Sequence, residues 1–201
     1  MFGGSDMRKE IVGVFVCMLL LTTTFSVMAG DEINPEITDE EGDARDYLDI
    51  VSAWFYEEPD NPDYLYIAIK IKDLSGGFLG RGYSIHWNLN DIVYASGLDV
   101  YGFRGQKLWR SGEYGRGSVW EWRKMSTVQG SYGEEIGIIT WEIPKSDIGN
   151  PQPGDILTDT CAYSCQFGII PALSFLSMFK GFRDWTHEYG AEYGQDYVIK
   201  Y

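Results

Sequence analysis

Between Tyr64 and Lys72 the chain alternates with a period of two: Leu65, Ile67, Ile69 and Ile71 are large and apolar, and between them stand Tyr64, Tyr66, Ala68, Lys70 and Lys72, all amphipathic or charged except the small Ala68. In extended backbone successive side chains point to opposite faces. This stretch is therefore a strand with one greasy and one wet face. A strand-like run from about Tyr47 to Glu57 precedes it across Glu58-Pro59-Asp60-Asn61-Pro62-Asp63, a proline-rich turn signal, so the pair reads as an antiparallel hairpin. Tyr83, Ile85, Trp87 and Leu89 then alternate with Ser84, His86 and Asn88, and Asn90-Asp91 turns the chain into Ile92 to Phe103. That is a second hairpin.

Downstream the pattern is less even. Five glycines (102, 105, 112, 115 and 117) stand among Arg104, Lys107, Arg110 and Arg116, a density that reads as loop or ragged strand edge. Val119 to Val128 and Glu135 to Ile143 read as strands, the latter ending at Pro144. Lys145-Ser146-Asp147-Ile148-Gly149 reads as one helical turn stopped by glycine. Further strands are expected from about Thr160 to Gly168 and from Asp196 to Lys200. About eight or nine short strands with turn signals between them specify an all-β sandwich or barrel of antiparallel sheets with short helical turns only, and the expected form is a two-sheet β-sandwich of jelly-roll type.

The N-terminus fixes the expected compartment. Arg8 and Lys9 are followed by an apolar run from Ile11 to Leu21, and Val27 and Ala29 supply the small residues that precede a signal-peptidase cut. The expectation is a signal peptide over residues 1–29, cleaved after Ala29, with an uncleaved anchor as the alternative; then an acidic segment over 30–46 and one sandwich domain over 47–201. Asp6, Arg8, Lys9 and Glu10 would leave together, so the net charge of −14 is unchanged. Such a surface repels nucleic acid and anionic lipid. Cys17 falls in the signal, leaving Cys161 and Cys165. In one straight strand their Cα atoms would lie about 13 Å apart at ~3.3 Å per residue, beyond bridging distance, so two buried thiols and a small loop-closing disulfide both stay open.

The order of segments resembles a known family: an Asp-rich opening, Gly42-Asp43-Ala44, Leu48-Asp49-Ile50, Leu65-Tyr66-Ile67, Tyr83 to Trp87, Thr140-Trp141-Glu142-Ile143-Pro144-Lys145 and a closing Gly194 to Tyr197. It is similar to the DOMON-like sandwiches related to family-nine carbohydrate-binding modules. The resemblance implies an extracellular domain that binds sugars or haem, often with structural calcium.

Three constellations bear on chemistry. Asp39, Glu40, Glu41, Asp43, Asp46 and Asp49 place six carboxylates in eleven positions. Hard oxygen donors at this density suit Ca²⁺, which takes six to eight of them. Asp39, Asp43 and Asp49 are the candidate ligands; the resemblance implies packing near the C-terminal region, which offers Asp184 and Asp196. A solvated acidic segment without metal is the competing reading.

Aromatic residues are the second. Of the seven Trp and fourteen Tyr most are expected in the core. Trp109, set in the glycine-rich stretch between Lys107 and Arg110, is the candidate ligand platform, with Trp54, Tyr101, Tyr114 and Arg110. The third is haem, for which His86, His187, Met125 and Met178 are the available axial groups; it ranks below sugar because His86 shares a strand face with Ser84 and Asn88.

The apolar segment 167–182 is too short and interrupted to span a bilayer and reads as a cover over one end of the sandwich or as a contact patch for a partner subunit or membrane surface. No Gly-x-Ser-x-Gly, His-Glu-x-x-His or phosphate-loop motif is present. The expectation is a secreted, non-catalytic module for an extracellular glycan, stabilised by calcium. The alternatives are a structural or protein-docking cell-surface protein and a haem-binding domain.

Overall fold

The computed structural model describes residues 30–76, 80–101, 105–116, 120–167, 183–186 and 193–201. The strands are β1 (Ile37–Thr38), β2 (Ile50–Tyr56), β3 (Tyr64–Ile71), β4 (Gly80–Leu89), β5 (Ile92–Tyr101), β6 (Gln106–Arg116), β7 (Trp120–Thr127), β8 (Gln129–Gly133), β9 (Ile138–Pro144), β10 (Ile156–Phe167), β11 (Arg183–Trp185) and β12 (Tyr197–Val198). They form two antiparallel sheets. One has five strands in the order β1-β2-β3-β9-β8; the other has seven, ordered β11-β10-β4-β5-β6-β7 with β12 also paired to β10. Among the described residues no helix is long and apolar enough to cross a membrane.

Both expected hairpins are present. β2 and β3 pair with Phe55 opposite Ile67, and β4 and β5 pair with Trp87 opposite Tyr94. The second hairpin closes on Asn90 and Asp91 at φ 52° and 63°, the left-handed pair that a two-residue turn between twisted strands requires and that Asn and Asp tolerate best.

The alternation then sorts residues by face. Leu65, Ile67, Ile69 and Ile71 of β3 and Ile139, Trp141 and Ile143 of β9 meet Tyr83, Ile85, Trp87 and Leu89 of β4 in one buried core. Phe55 stands edge-on to Trp87 with centroids 5.7 Å apart and tilts against Tyr197 at 5.5 Å, joining both sheets. Each such side chain stabilises the fold by about 1.5–3 kcal/mol relative to exposure.

Three sequence expectations need correction. Of the two readings of the glycine-rich stretch, the described residues fit the ragged strand and not the loop: Gln106–Arg116 is the eleven-residue β6, paired with β5 on one side and β7 on the other. Its irregularity is a register shift between Glu113 and Tyr114, close to Gly112, whose φ of 147° and contact with the Lys124 carbonyl leave no room for a side chain. The acidic opening is not wholly outside the sandwich either, since β1 pairs with β2 and Ile37 is in the core. Finally β8, which carries few apolar residues, was not foreseen. The single turn over Lys145–Ile148 is a 3₁₀ helix ended by left-handed Gly149, as expected. Expectations for the signal over 1–29, the apolar segment beyond Phe167, His187 and Met178 lie outside the described residues.

A buried ion pair fastens the end of the chain. Lys145 Nζ lies 2.6 Å from Glu57 Oε1, with both residues almost fully buried. Glu57 Oε2 accepts from Tyr197 Oη at 3.1 Å and from the Lys200 amide at 2.7 Å. Removing one member of such a pair leaves a buried charge without its counterion, at about 3–5 kcal/mol. Lys145→Ala is therefore expected to lower unfolding free energy by about 3 kcal/mol or more in urea titration, and Lys145→Met with Glu57→Gln, which stays neutral and keeps an acceptor for Tyr197 and Lys200, to recover most of it; equal loss in single and double variants would contradict this account.

Candidate metal centre and ligand recess

Two regions concentrate functional side chains. The first lies where the loop between β1 and β2 meets β11. Asp39, Asp43 and Asp184 each offer a carboxylate oxygen, and these atoms lie within 4.8 Å of one another. Ca²⁺ binds oxygens at 2.3–2.6 Å, so two donors on opposite sides of one ion stand up to about 5 Å apart; the spacing fits. Asp39 Oδ2 and Asp43 Oδ1 are shielded from solvent and have no hydrogen-bond partner. Asp184 is buried, and its Oδ2 accepts from the Ile50 amide at 2.7 Å. Burial, reinforced by the charges of Asp39 and Asp43, pushes Asp184 from its ordinary 3.8 up to about 8, and burial also raises Asp39. A hard cation would offset the charge of such a group of desolvated oxygens.

Asp49, the third expected ligand, is used otherwise. Both of its oxygens accept from the Gly42 amide, at 3.1 and 2.8 Å, and Lys72 Nζ stands 3.6 Å away. It closes the loop that carries Asp43 instead of joining the group. Asp184 takes the third place, while Asp196 lies outside the group and is exposed.

The second region is a recess of about 590 Å³ on the outer face of the seven-stranded sheet, over β4, β5, β6 and β10. Its polar groups are Asn88, Asp99, Arg110 and Asp159, and its aromatic ones include Tyr114, Tyr163, Trp185 and Tyr193. Alternation puts them there: Asp99 and Arg110 occupy outward positions on paired strands, as do Tyr163 and Trp185, which are opposite each other in register. Their rings meet edge to face at 5.7 Å. Arg110 and Asp99 form an ion pair, and Tyr101 Oη donates to Asp99 Oδ2 at 2.9 Å. A bulge in β10 sets Asp159 at φ 51°, where Asn88 Nδ2 reaches its Oδ2 at 3.4 Å; bulges of this kind re-aim side chains beside sites.

Of the five expected ligand residues, Arg110 and Tyr114 line the recess and Tyr101 is one hydrogen bond away. Trp109 is not the exposed platform. As the neighbour of outward Arg110 it faces inward, half-buried against the core, edge-on to Trp141 at 5.7 Å. Trp54 is 7% exposed and belongs to the other sheet.

His86 also lines the recess, bonded to Ser84 Oγ through Nε2 at 2.9 Å and edge-on to Tyr114 at 4.9 Å. Burial lowers it to about 4, so it is neutral near pH 7. Met125 is half-exposed and outside the recess. Cys161 and Cys165, four apart on β10, are free thiols that burial pushes up to about 11. The bulge falls before Cys161 and not between the two, so it does not draw them together.

Sequence reasoning missed Tyr163, Trp185, Tyr193 and Asp99. The signal for the first was present, because Cys161, Tyr163 and Cys165 share a period of two. No protein-family model, curated protein or solved structure matches the chain.

Two outcomes follow for the metal centre. Calorimetric titration of the chelator-treated protein is expected to give one Ca²⁺ per chain, with Asp184→Asn or Asp39→Asn weakening it at least ~10-fold by removing a charged ligand; no uptake would contradict the site. Without cation, folded Asp184 retains a proton between pH ~4 and ~8 that the unfolded chain has lost, so its contribution to stability falls as pH rises through that window. The Tm difference between wild type and Asp184→Asn, followed against pH, is expected to shift in favour of the variant across it.

Proposed function

We propose that the protein is a secreted, non-catalytic binding module, fastened by Ca²⁺ at Asp39, Asp43 and Asp184, that holds a carbohydrate in the recess of its seven-stranded sheet. The recess carries the reading: aromatic rings stand next to a fixed set of hydrogen-bonding groups. Sugar rings have apolar faces that stack on aromatic side chains and hydroxyl edges that need donors and acceptors together. Tyr114, Tyr163 and Trp185 offer the first. Asn88, Asp99, Arg110 and Asp159 offer the second, and the Arg110–Asp99 pair presents a donor and an acceptor side by side, a match for adjacent hydroxyls.

A bound Ca²⁺ would supply the positive charge that lets the three carboxylates ionise together, fixing the β1–β2 loop against β11. Trp185 is the residue after Asp184, so order at the metal centre extends to one wall of the recess.

The test is a glycan panel on the Ca²⁺-loaded protein, followed by titration of the best ligand into variants. Tyr114→Ala and Trp185→Ala are each expected to weaken binding by about 3- to 10-fold, the equivalent of one lost ring contact, with Tm nearly unchanged. Trp109→Ala is expected to lower Tm because its indole packs on the core. No saturable binding to any glycan, or loss of affinity in Trp109→Ala alone, would overturn the reading in favour of a structural or protein-docking surface protein; visible absorbance of the purified protein would favour haem.

A further inference from the structure

The first described residue, Gly30, is buried, although Asp31 to Asn34 after it are exposed. The turn that returns it to the fold is defined: Asp31 Oδ1 accepts from the amides of Ile33 and Asn34, each at 2.8 Å. Gly30 thereby lies against the Glu36 carboxyl so closely that a Cβ on it would stand 2.5 Å from the carboxyl carbon and collide with both oxygens. The α-nitrogen is bonded to the same Cα, about 1.46 Å away, so a charge placed on it would act on that carboxyl at short range.

Glu36 is itself held in place. Its Oε2 accepts from the Phe55 amide at 3.0 Å, and its main-chain oxygen accepts from Gln195 at 2.7 Å. Among the described residues no Lys or Arg makes an ion pair with it. Burial pushes it up to about 7; Lys200 offsets this only in part, and Asp31 adds to it. A carboxylate held at the edge of the sandwich, with no ion-pairing Lys or Arg among the described residues and with a buried glycine's backbone against it, is arranged to receive a cation at that glycine. The sequence places a small-residue cleavage signal, Val27-Met28-Ala29, immediately before it.

We propose that the chain is cut between Ala29 and Gly30 and that the α-ammonium group so released binds Glu36, making cleavage itself the last step in closing the β1 edge. The cut is a hydrolysis by a signal peptidase. Water's hydroxyl goes to the Ala29 carbonyl carbon, its hydrogen goes to the Gly30 nitrogen as the C–N bond breaks, and the amine takes a further proton from solvent. A first residue with a side chain would have to displace that carboxyl from its bond to the Phe55 amide. This inference is independent of the ligand in the recess.

The experiment uses the full chain exported from a host with signal peptidase. Intact mass is expected to correspond to residues 30–201; any other N-terminus overturns the proposal. The α-amine of the exported protein is then acetylated selectively near neutral pH, where lysines stay protonated. Wild type is expected to react at least ~10-fold more slowly than Glu36→Gln, since the pair withdraws the amine, and acetylation is expected to lower its Tm by about 3 °C or more while leaving the Tm of Glu36→Gln unchanged. Equal reaction rates, or equal Tm losses, overturn it. If Glu36→Gln is not exported, the pH dependence of wild-type acetylation decides: an α-amine pKa above the ordinary 7.7–8.0 supports the pair, and one within that range overturns it.

Discussion

The dry contact between two apolar sheet faces is the constraint on which everything else rests. Because β3 and β9 on one side and β4 on the other commit every second residue to that contact, the residues between them are fixed on the outside. A one-residue slip would exchange the faces. The recess is thus a by-product of core packing: Trp87 points in to meet Phe55, so His86 and Asn88 must point out, and Trp109 points in to meet Trp141, so Arg110 must point out.

At one edge the apolar contact gives way to polar bonds between sheets. Ile50 donates to Asp184, Ser164 Oγ donates to the Leu48 carbonyl at 2.5 Å, Tyr83 Oη donates to the Tyr47 carbonyl at 2.7 Å, and Tyr47 Oη donates to Gln166 at 2.7 Å. These tie residues 47–50, at the start of β2, to β4, β10 and β11 of the opposite sheet. Asp184 therefore has two tasks: it anchors Ile50 and stands with Asp39 and Asp43. Clustered carboxylates oppose folding when all are ionised, so this edge holds best when a proton or a cation is present. The opposite tactic operates at Glu57, whose charge has a built-in partner in Lys145.

How much of this was legible depended on how local the determining physics was. Both hairpins could be read because alternation and turn chemistry are properties of neighbouring residues, and Asn90-Asp91 needed no tertiary information. β6 was hidden because its glycines mimic a loop, although Trp109 next to Arg110 already obeyed the alternation that separates an inward ring from an outward cation. Asp39 and Asp43 could be named from charge density, but the choice of Asp184 over Asp49 required knowing that the Asp49 carboxylate folds back onto Gly42. Tyr163 and Trp185 are far apart in sequence, and only the β10–β11 register brings their rings together.

If the Asp39, Asp43 and Asp184 group is a cation-dependent clasp between the sheets, as proposed, it acts first on the bond that crosses beside it. The direct measurement is amide hydrogen exchange of the chelator-treated protein before and after addition of Ca²⁺. The account predicts slower exchange at Ile50, across the loop over residues 39–49 and at β11, with the β4–β5 hairpin unchanged. Exchange at Ile50 that ignores Ca²⁺, or protection spread evenly over both sheets, would contradict it.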